Sequence, residues 1–342
     1  MTSGALGRRR ALLGMAVTGG AVVLAVTACG GSGGSSGPAG ALGGARSGTA
    51  SAGASTAGAT ASGDGISDPA ASPAATSAGA GTGSTASPGA EADRAGNGHA
   101  DPFSGAVTGY LTGRAGTVLA AVYDVRTGQS WRLGDGPAQD EASVVKVDIL
   151  ETLLDEGGGD GLSAGNQALA QQMIEDSDND AATALWYAAG GQPGLSAYDV
   201  KAGLTGTTPS PCVQCSGFPW PGWGLSTTVP DDQITLLKRL IMANPLLTSA
   251  DRSYALSLLE NVTPDQAWGI SGGVPAGVTV ALKNGWLPLN DANTDWQVNS
   301  EGWVSGDGRD YLISVLTTGN PDEQYGIDTI GQLSSFVWAA MR

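Results

Sequence analysis

The chain has 342 residues, with 16 Lys+Arg against 32 Asp+Glu and a formal net charge of −16. Such an acid excess argues against a nucleic-acid partner, because phosphate backbones are held by Lys and Arg; it reads instead as solubility. The single histidine, His99, falls in a segment read below as a tether, so the folded part is expected to hold neither a Ser-His-Asp triad nor a His-based metal hydrolase site.

Residues 1–29 read as an export signal: Arg8, Arg9 and Arg10 precede an apolar, Gly-containing core from Ala11 to Ala28. Val26-Thr27-Ala28-Cys29 resembles the lipobox of bacterial lipoproteins, which implies a diacylated Cys29 and a membrane-anchored domain at the outer face of the cytoplasmic membrane. Arg8-Arg9-Arg10-Ala11-Leu12 also resembles a weak twin-arginine signal, so the export route stays open. A single spanning anchor is the competing reading, but the run is short and broken by Gly14, Gly19 and Gly20.

In residues 30–100, all but ten are Gly, Ala, Ser, Thr or Pro. Such a composition cannot bury enough apolar surface to offset its ordering entropy. It reads as a disordered tether with an r.m.s. span of roughly 45–50 Å.

Residues 101–342 carry all nine tryptophans and form the expected domain. A short helix is predicted over 101–111. Strands follow at 117–124 and 129–133, around the turn Thr127-Gly128. Helical patterns then run over 143–155, 165–176, 178–189, 195–202, 230–243 and 249–260. Strand patterns return at 278–287, 296–305 and 311–317, the last two joined by Gly306-Asp307-Gly308, and a helix closes the chain over 323–340. Strands at both ends with helices between them predict one antiparallel sheet built from both termini and a separate helical lobe, with a site between the two.

Cys212 and Cys215 are spaced C-x-x-C. In an exported protein that spacing reads as a small-loop disulfide, and two thiols with no histidine nearby make a poor zinc set. No metal or cofactor is expected.

Three short motifs carry chemistry. Ser143 and Lys146 sit three apart at the head of an apolar helix, EASVVKVDILETLL, where a buried lysine is costly unless paired or used. Ser177-Asp178-Asn179 falls at a break between two helical patterns. Lys283-Asn284-Gly285 lies within a strand pattern. Each has a bland reading: a surface pair, a helix cap, an exposed strand lysine. Their order is what gives them meaning. Ser-x-x-Lys, Ser-x-Asn and Lys-x-Gly in succession resemble the penicillin-recognising serine hydrolases, class A β-lactamases above all, over the whole of 101–342.

The resemblance implies an α+β fold: a five-stranded antiparallel sheet flanked by helices from both termini, with an inserted all-α lobe. It implies Ser143 as nucleophile and Lys146 as its base. Ser177 would relay the proton to the leaving nitrogen, and Asn179 would bind the substrate amide. Lys283 and Asn284 would face the substrate carboxylate, with Gly285 beside them. The N–H groups of Ser143 and Trp286 would form the oxyanion hole. It implies a small β-lactam or cell-wall peptide substrate and a monomer. Four departures stand out: Asn284 where Thr or Ser is usual, the bulky Trp286, a short gap between Lys146 and Ser177, and the absence of any acidic residue in 202–230. Class A enzymes take the deacylating base from a glutamate in that last region; here the nearest acids are Asp199 and Asp231. Slow deacylation is therefore expected. A D-Ala-D-Ala peptidase or esterase, and a non-catalytic penicillin-binding lipoprotein, remain as alternatives.

Overall fold

Strand β1 (Thr117–Asp124) turns at Gly128 into β2 (Ser130–Leu133), and the computed structural model pairs the two antiparallel. It describes residues 99–216, 218–290 and 292–342, all within one unit, Ser87–Arg342. The signal segment 1–29, Cys29 with its anchor, and the tether up to residue 98 lie outside the described residues. His99 is a correction: it does not lie in a free tether. Its Nε2 is 3.4 Å from the buried Asp124 and 2.7 Å from Arg126. Arg126, just past β1, donates to that ring nitrogen while its guanidinium also lies 3.6 Å from Asp124 Oδ1, which holds the ring at the end of the strand.

The chain returns to the sheet only at its end. Strands β5 (Thr279–Pro288), β6 (Trp296–Gly306) and β7 (Arg309–Asn320) form a meander, and β7 pairs with β1 to give the order β2-β1-β7-β6-β5, antiparallel throughout. Helices α1 (Ala106–Leu111) and α8 (Glu323–Ala340) pack on one face around Val122, Val298, Ile313, Ile330 and Val337. Each such fully buried side chain contributes roughly 1.5–3 kcal/mol.

Between β2 and β5 the chain builds the helical lobe: α2 (Val145–Glu156), α3 (Ala164–Glu175), α4 (Asn179–Ala188), α5 (Gly191–Ala202), α6 (Pro230–Ile241) and α7 (Ser249–Glu260). Local chemistry sets several of the ends. Ser163 and Asp178 cap α3 and α4, and Thr248 with Asp251 forms a capping box on α7. Pro230 opens α6, with Asp231 and Asp232 in its first turn and Lys238 and Arg239 in its last, as the helix dipole favours. Helix α5 starts four residues before the expected 195, because Pro193 is tolerated in the first turn, where its missing N–H has no helical partner. One element is not visible in the sequence. The two-residue strands β3 (Gln139–Asp140) and β4 (Thr227–Thr228) pair, and Glu141 N donates to Ser226 O at 2.8 Å. That small pairing ties the segment ahead of Ser143 to the end of the 202–230 loop.

Candidate active site

Ser143 lies in a 3₁₀ turn, Ala142–Val144, that leads directly into α2. Its neighbour Ala142 holds a left-handed backbone, φ 51°. Ser177, at the break between α3 and α4, does the same with φ 56°. Non-glycine residues in this region cost of order 1–3 kcal/mol and gather at functional sites.

The three motifs meet around Ser177. Lys146, fully buried, donates from Nζ to Ser177 O at 2.6 Å, to Asn179 Oδ1 at 2.8 Å and to Ser177 Oγ at 3.1 Å. Lys283 donates to the same Ser177 Oγ at 2.9 Å and to Asn284 O at 2.8 Å. One hydroxyl thus sits between two ammonium groups. Burial, and then the charge of Lys283, pushes Lys146 well below the ordinary lysine value, against a weaker opposing pull from Asp178. Burial brings Lys283 down to about 7, with Glu301 opposing. The arrangement can therefore hold one lysine neutral near neutral pH and pass a proton through Ser177. Ser143 Oγ is not among the hydrogen-bond partners of Lys146; the two are linked by the shared turn rather than by a made bond.

Gly285 shows why the third motif ends in glycine. A Cβ there would lie 2.6 Å from Ser143 N, 2.8 Å from Val144 N and 2.9 Å from Glu141 O. Strand β5 runs against the nucleophile turn with no room for a side chain. Gly285→Ala is expected to lower the rate of Ser143 acylation by roughly 10²-fold, since misplacement of about 1 Å has that effect. Stopped-flow labelling with a fluorescent penicillin checks it, with circular dichroism confirming the fold.

Asn284 is a second correction. In a strand, residues two apart share a face. Asn284 and Trp286 both turn to the 266–270 turn, away from Lys283 and Gly285. Asn284 Nδ2 donates to Gln266 O at 2.6 Å and Trp268 O at 3.3 Å, and the side chain is 1% exposed. Its donors are spent, so it is not placed to hold a substrate carboxylate.

A cavity of about 220 Å³ opens at Ser143 and Asn179. Its walls are aromatic: Phe218, Trp220, Trp223, Trp286 and Trp296. From 202–230 the sequence reading took the Cys212/Cys215 pair and the lack of an acid, and not the rings. The density of rings in FPWPGWGL was the available signal for a wall. Cys212 and Cys215 are joined in a disulfide, and Cys212 O accepts from Gly222 N at 2.7 Å, which fixes the start of the Gly222–Leu225 turn. That turn sets the Trp223 ring 5.1 Å from Lys146 Nζ. Neither acid flanking the loop reaches the cavity. Asp231 pairs with Arg132 at 2.7 Å, and Asp199 is buried beside Asp148.

Behind α2 lies a feature the sequence reading missed. Glu141, Asp148, Glu151, Asp199 and Glu301 are all buried, and burial raises every one of them, Glu151 to about 8 and Asp199 to about 7. Asp232 is buried with them and accepts from Gly206 N and Thr207 Oγ1. The signal was Asp148 and Glu151, one turn apart within an otherwise apolar central helix.

A family model described as "Beta-lactamase enzyme family" matches residues 158–341. No curated protein matches the sequence. Among solved structures, a β-lactamase from Chitinophaga pinensis is 19% identical with a TM-score of 0.62, covering 69% of this chain and 98% of its own. The TLA-1 extended-spectrum β-lactamase is 17% identical with a TM-score of 0.60, covering 68% and 96%. A class A representative from Bacteroides cellulosilyticus is 17% identical with a TM-score of 0.58, covering 68% and 95%. At these identities the structural likeness speaks for the fold.

Proposed function

This chain belongs to the beta-lactamase enzyme family, and from that premise we propose that Ser143 opens a β-lactam amide to form an acyl-enzyme that hydrolyses slowly. The carrying observation is the Lys146–Ser177–Lys283 relay, with Ser177 Oγ held by both lysines at 3.1 and 2.9 Å. In the reaction Ser143 Oγ bonds to the lactam carbonyl carbon, and the C–N bond breaks. The hydroxyl proton passes to neutral Lys146 and reaches the departing nitrogen by way of Ser177. Developing negative charge on the carbonyl oxygen is met by the N–H groups of Ser143 and Trp286, at the start of α2 where the dipole favours it.

Hydrolysis of the ester needs a water and a base. The cavity wall facing Lys146 is the Trp223 ring, and no carboxylate lines the cavity among the described residues. Without general-base help, deacylation loses roughly 10²–10⁴-fold. A nitrocefin assay is expected to show a burst near one equivalent of enzyme followed by a slow steady state; rapid turnover without a burst would require a base elsewhere. Accumulation of the ester equally suits a penicillin-binding role, which the covered Lys146 favours over rapid peptide hydrolysis. What supports a lipid-anchored address outside the cytoplasmic membrane is the sequence of residues 1–29.

A further inference from the structure

The outer side of the cavity wall carries chemistry that acylation does not use. Cys215 lines a second, open groove of about 610 Å³, beside Tyr187, Val213 and Gln214. Tyr187 and Val213 are more than half exposed, so the groove is open to solvent. Phe218, Trp220 and Pro221 line both this groove and the cavity at Ser143. One layer of residues therefore separates the two. No charged side chain lines the groove among the described residues, so an anionic thiolate can reach the Cys212–Cys215 bond without meeting a like charge there.

The disulfide ties that layer down. From Pro211 to Pro221 the described residues form no helix or strand. The backbone anchors of the segment are the two cysteine carbonyls: Cys212 O accepts from Gly222 N at 2.7 Å, and Cys215 O from Phe218 N at 3.2 Å. Gly222 leaves the pair its room, since a Cβ there would lie 2.5 Å from Cys215 Sγ and 3.1 Å from Cys212 Cβ. A segment held by so few bonds opens at low cost once the covalent link is cut. Phe218 and Trp220 would move with it, whereas Trp223 keeps its own bond to Thr183 Oγ1 at 3.2 Å.

We propose that Cys212–Cys215 is a thiol–disulfide exchange site: a dithiol reductant entering the outer groove opens the bond, loosens the wall and slows acylation of Ser143. A thiolate of the reductant attacks Cys215 Sγ and forms a mixed disulfide; the Cys212–Cys215 bond breaks, and Cys212 leaves as a thiolate that takes a proton. The second thiol of the reductant, as its thiolate, then attacks its own sulfur partner in the mixed disulfide and releases Cys215, which takes the other proton. The pair gains two electrons and two protons, and the dithiol is oxidised to a disulfide. The effect on acylation rests on the reading of Ser143 as nucleophile; the exchange chemistry rests on the groove and the disulfide alone.

The test uses the full chain with Cys29→Ser, which leaves Cys212 and Cys215 as its only cysteines. The folded protein is treated with dithiothreitol, and an aliquot is alkylated with iodoacetamide and weighed intact. Adducts on both cysteines are expected after reduction and on neither before it. Acylation by a fluorescent penicillin, followed by stopped flow, should slow by roughly 10–10²-fold in the reduced chain, the effect of a misplacement of about 1 Å. The rate should return on reoxidation with oxidised glutathione. The Cys212→Ser/Cys215→Ser chain should acylate at the reduced rate with or without dithiothreitol. A bond that resists dithiothreitol in the folded chain would overturn the exchange site. Equal rates for the oxidised and reduced chains would overturn its control of the wall while Ser143 acylation stood. Loss of the folded circular-dichroism signal on reduction would make the pair a staple of the whole fold and overturn the proposal as well. If neither form labels Ser143, the parent reading falls and the effect on acylation falls with it, while the adduct count still decides the exchange chemistry.

Discussion

Acylation of Ser143 by a fluorescent penicillin slows by roughly 10²–10⁴-fold in Lys146→Met, and vanishes in Ser143→Ala. Lys146 is the only candidate base in the same turn as the nucleophile. It is fully buried, and its three donors satisfy Ser177 O, Ser177 Oγ and Asn179 Oδ1. Methionine keeps the volume and the apolar stem but removes the group that can take a proton. The pH profile separates this role from a structural one. In the wild-type chain the acylation rate should rise with pH as the Lys146–Lys283 pair loses its first proton, because burial lowers both lysines, Lys283 to about 7, and the charge of Lys283 lowers Lys146 further. Lys146→Met should lose that rise. Labelling at the wild-type rate with the rise intact would move the base to another group.

The second large effect concerns stability. Melting temperature is expected to fall as pH rises from about 5 to 7. Glu141, just ahead of the Ser143 turn, gathers with Asp148 and Glu151 on α2, Asp199 on α5 and Glu301 on β6, with Asp232 beside them on α6. Arg239 near Glu151 and Lys283 near Glu301 are the cations that oppose their upward shift. Each raised carboxyl is protonated in the folded state and ionised in the unfolded one over this window. Raising pH therefore draws the chain toward the unfolded state, and the stability is fully present only below the ordinary carboxylate range. Lys146 and Lys283 act in the opposite sense, Lys283 above about 7, because the unfolded chain binds the proton that each buried lysine gives up, so the fall should flatten toward neutral pH. Glu151→Gln isolates one contributor. Tyr198 donates to Glu151 Oε2 at 2.5 Å, and a glutamine oxygen can accept the same bond. With Glu151 raised to about 8, the variant should be more stable by roughly 2–3 kcal/mol at pH 7 and about unchanged at pH 4. For a domain of this size that is a rise of roughly 5–10 °C, readable by calorimetry. A melting temperature that rises between pH 5 and 7 in the wild-type chain would contradict this account.

The helical and strand segments were legible because their apolar periods are strong and their caps local: Thr248 with Asp251, Pro230 at the start of α6, Gly308 between β6 and β7. The site motifs were legible because Ser143 with Lys146 and Ser177 with Asn179 each lie within one turn, where spacing dictates proximity. Asn284 was misplaced because the side of a strand a residue faces depends on register, here Lys283 opposite Glu301 and Asn284 opposite Ser300. The aromatic wall and the carboxyl cluster were hidden for a related reason. Both are assembled from segments far apart in the chain, and nothing local marks Trp220 and Trp296, or Glu141 and Glu301, as neighbours.

The pairing of β1 with β7 sets Thr117 against Thr318. Everything that makes the catalytic lobe is strung between those two residues. The central pair of the sheet cannot form until nearly the whole chain has been delivered, so closure of a very long loop precedes the reward of sheet formation. Folding should thus be slow and late, on the scale of milliseconds to seconds or beyond. A chain cut after α7 would keep the β1–β2 hairpin but lose the three strands that give it a sheet. A domain so wired stays an open chain, whatever its lobe has already formed, and becomes a closed sheet only once its last strand arrives.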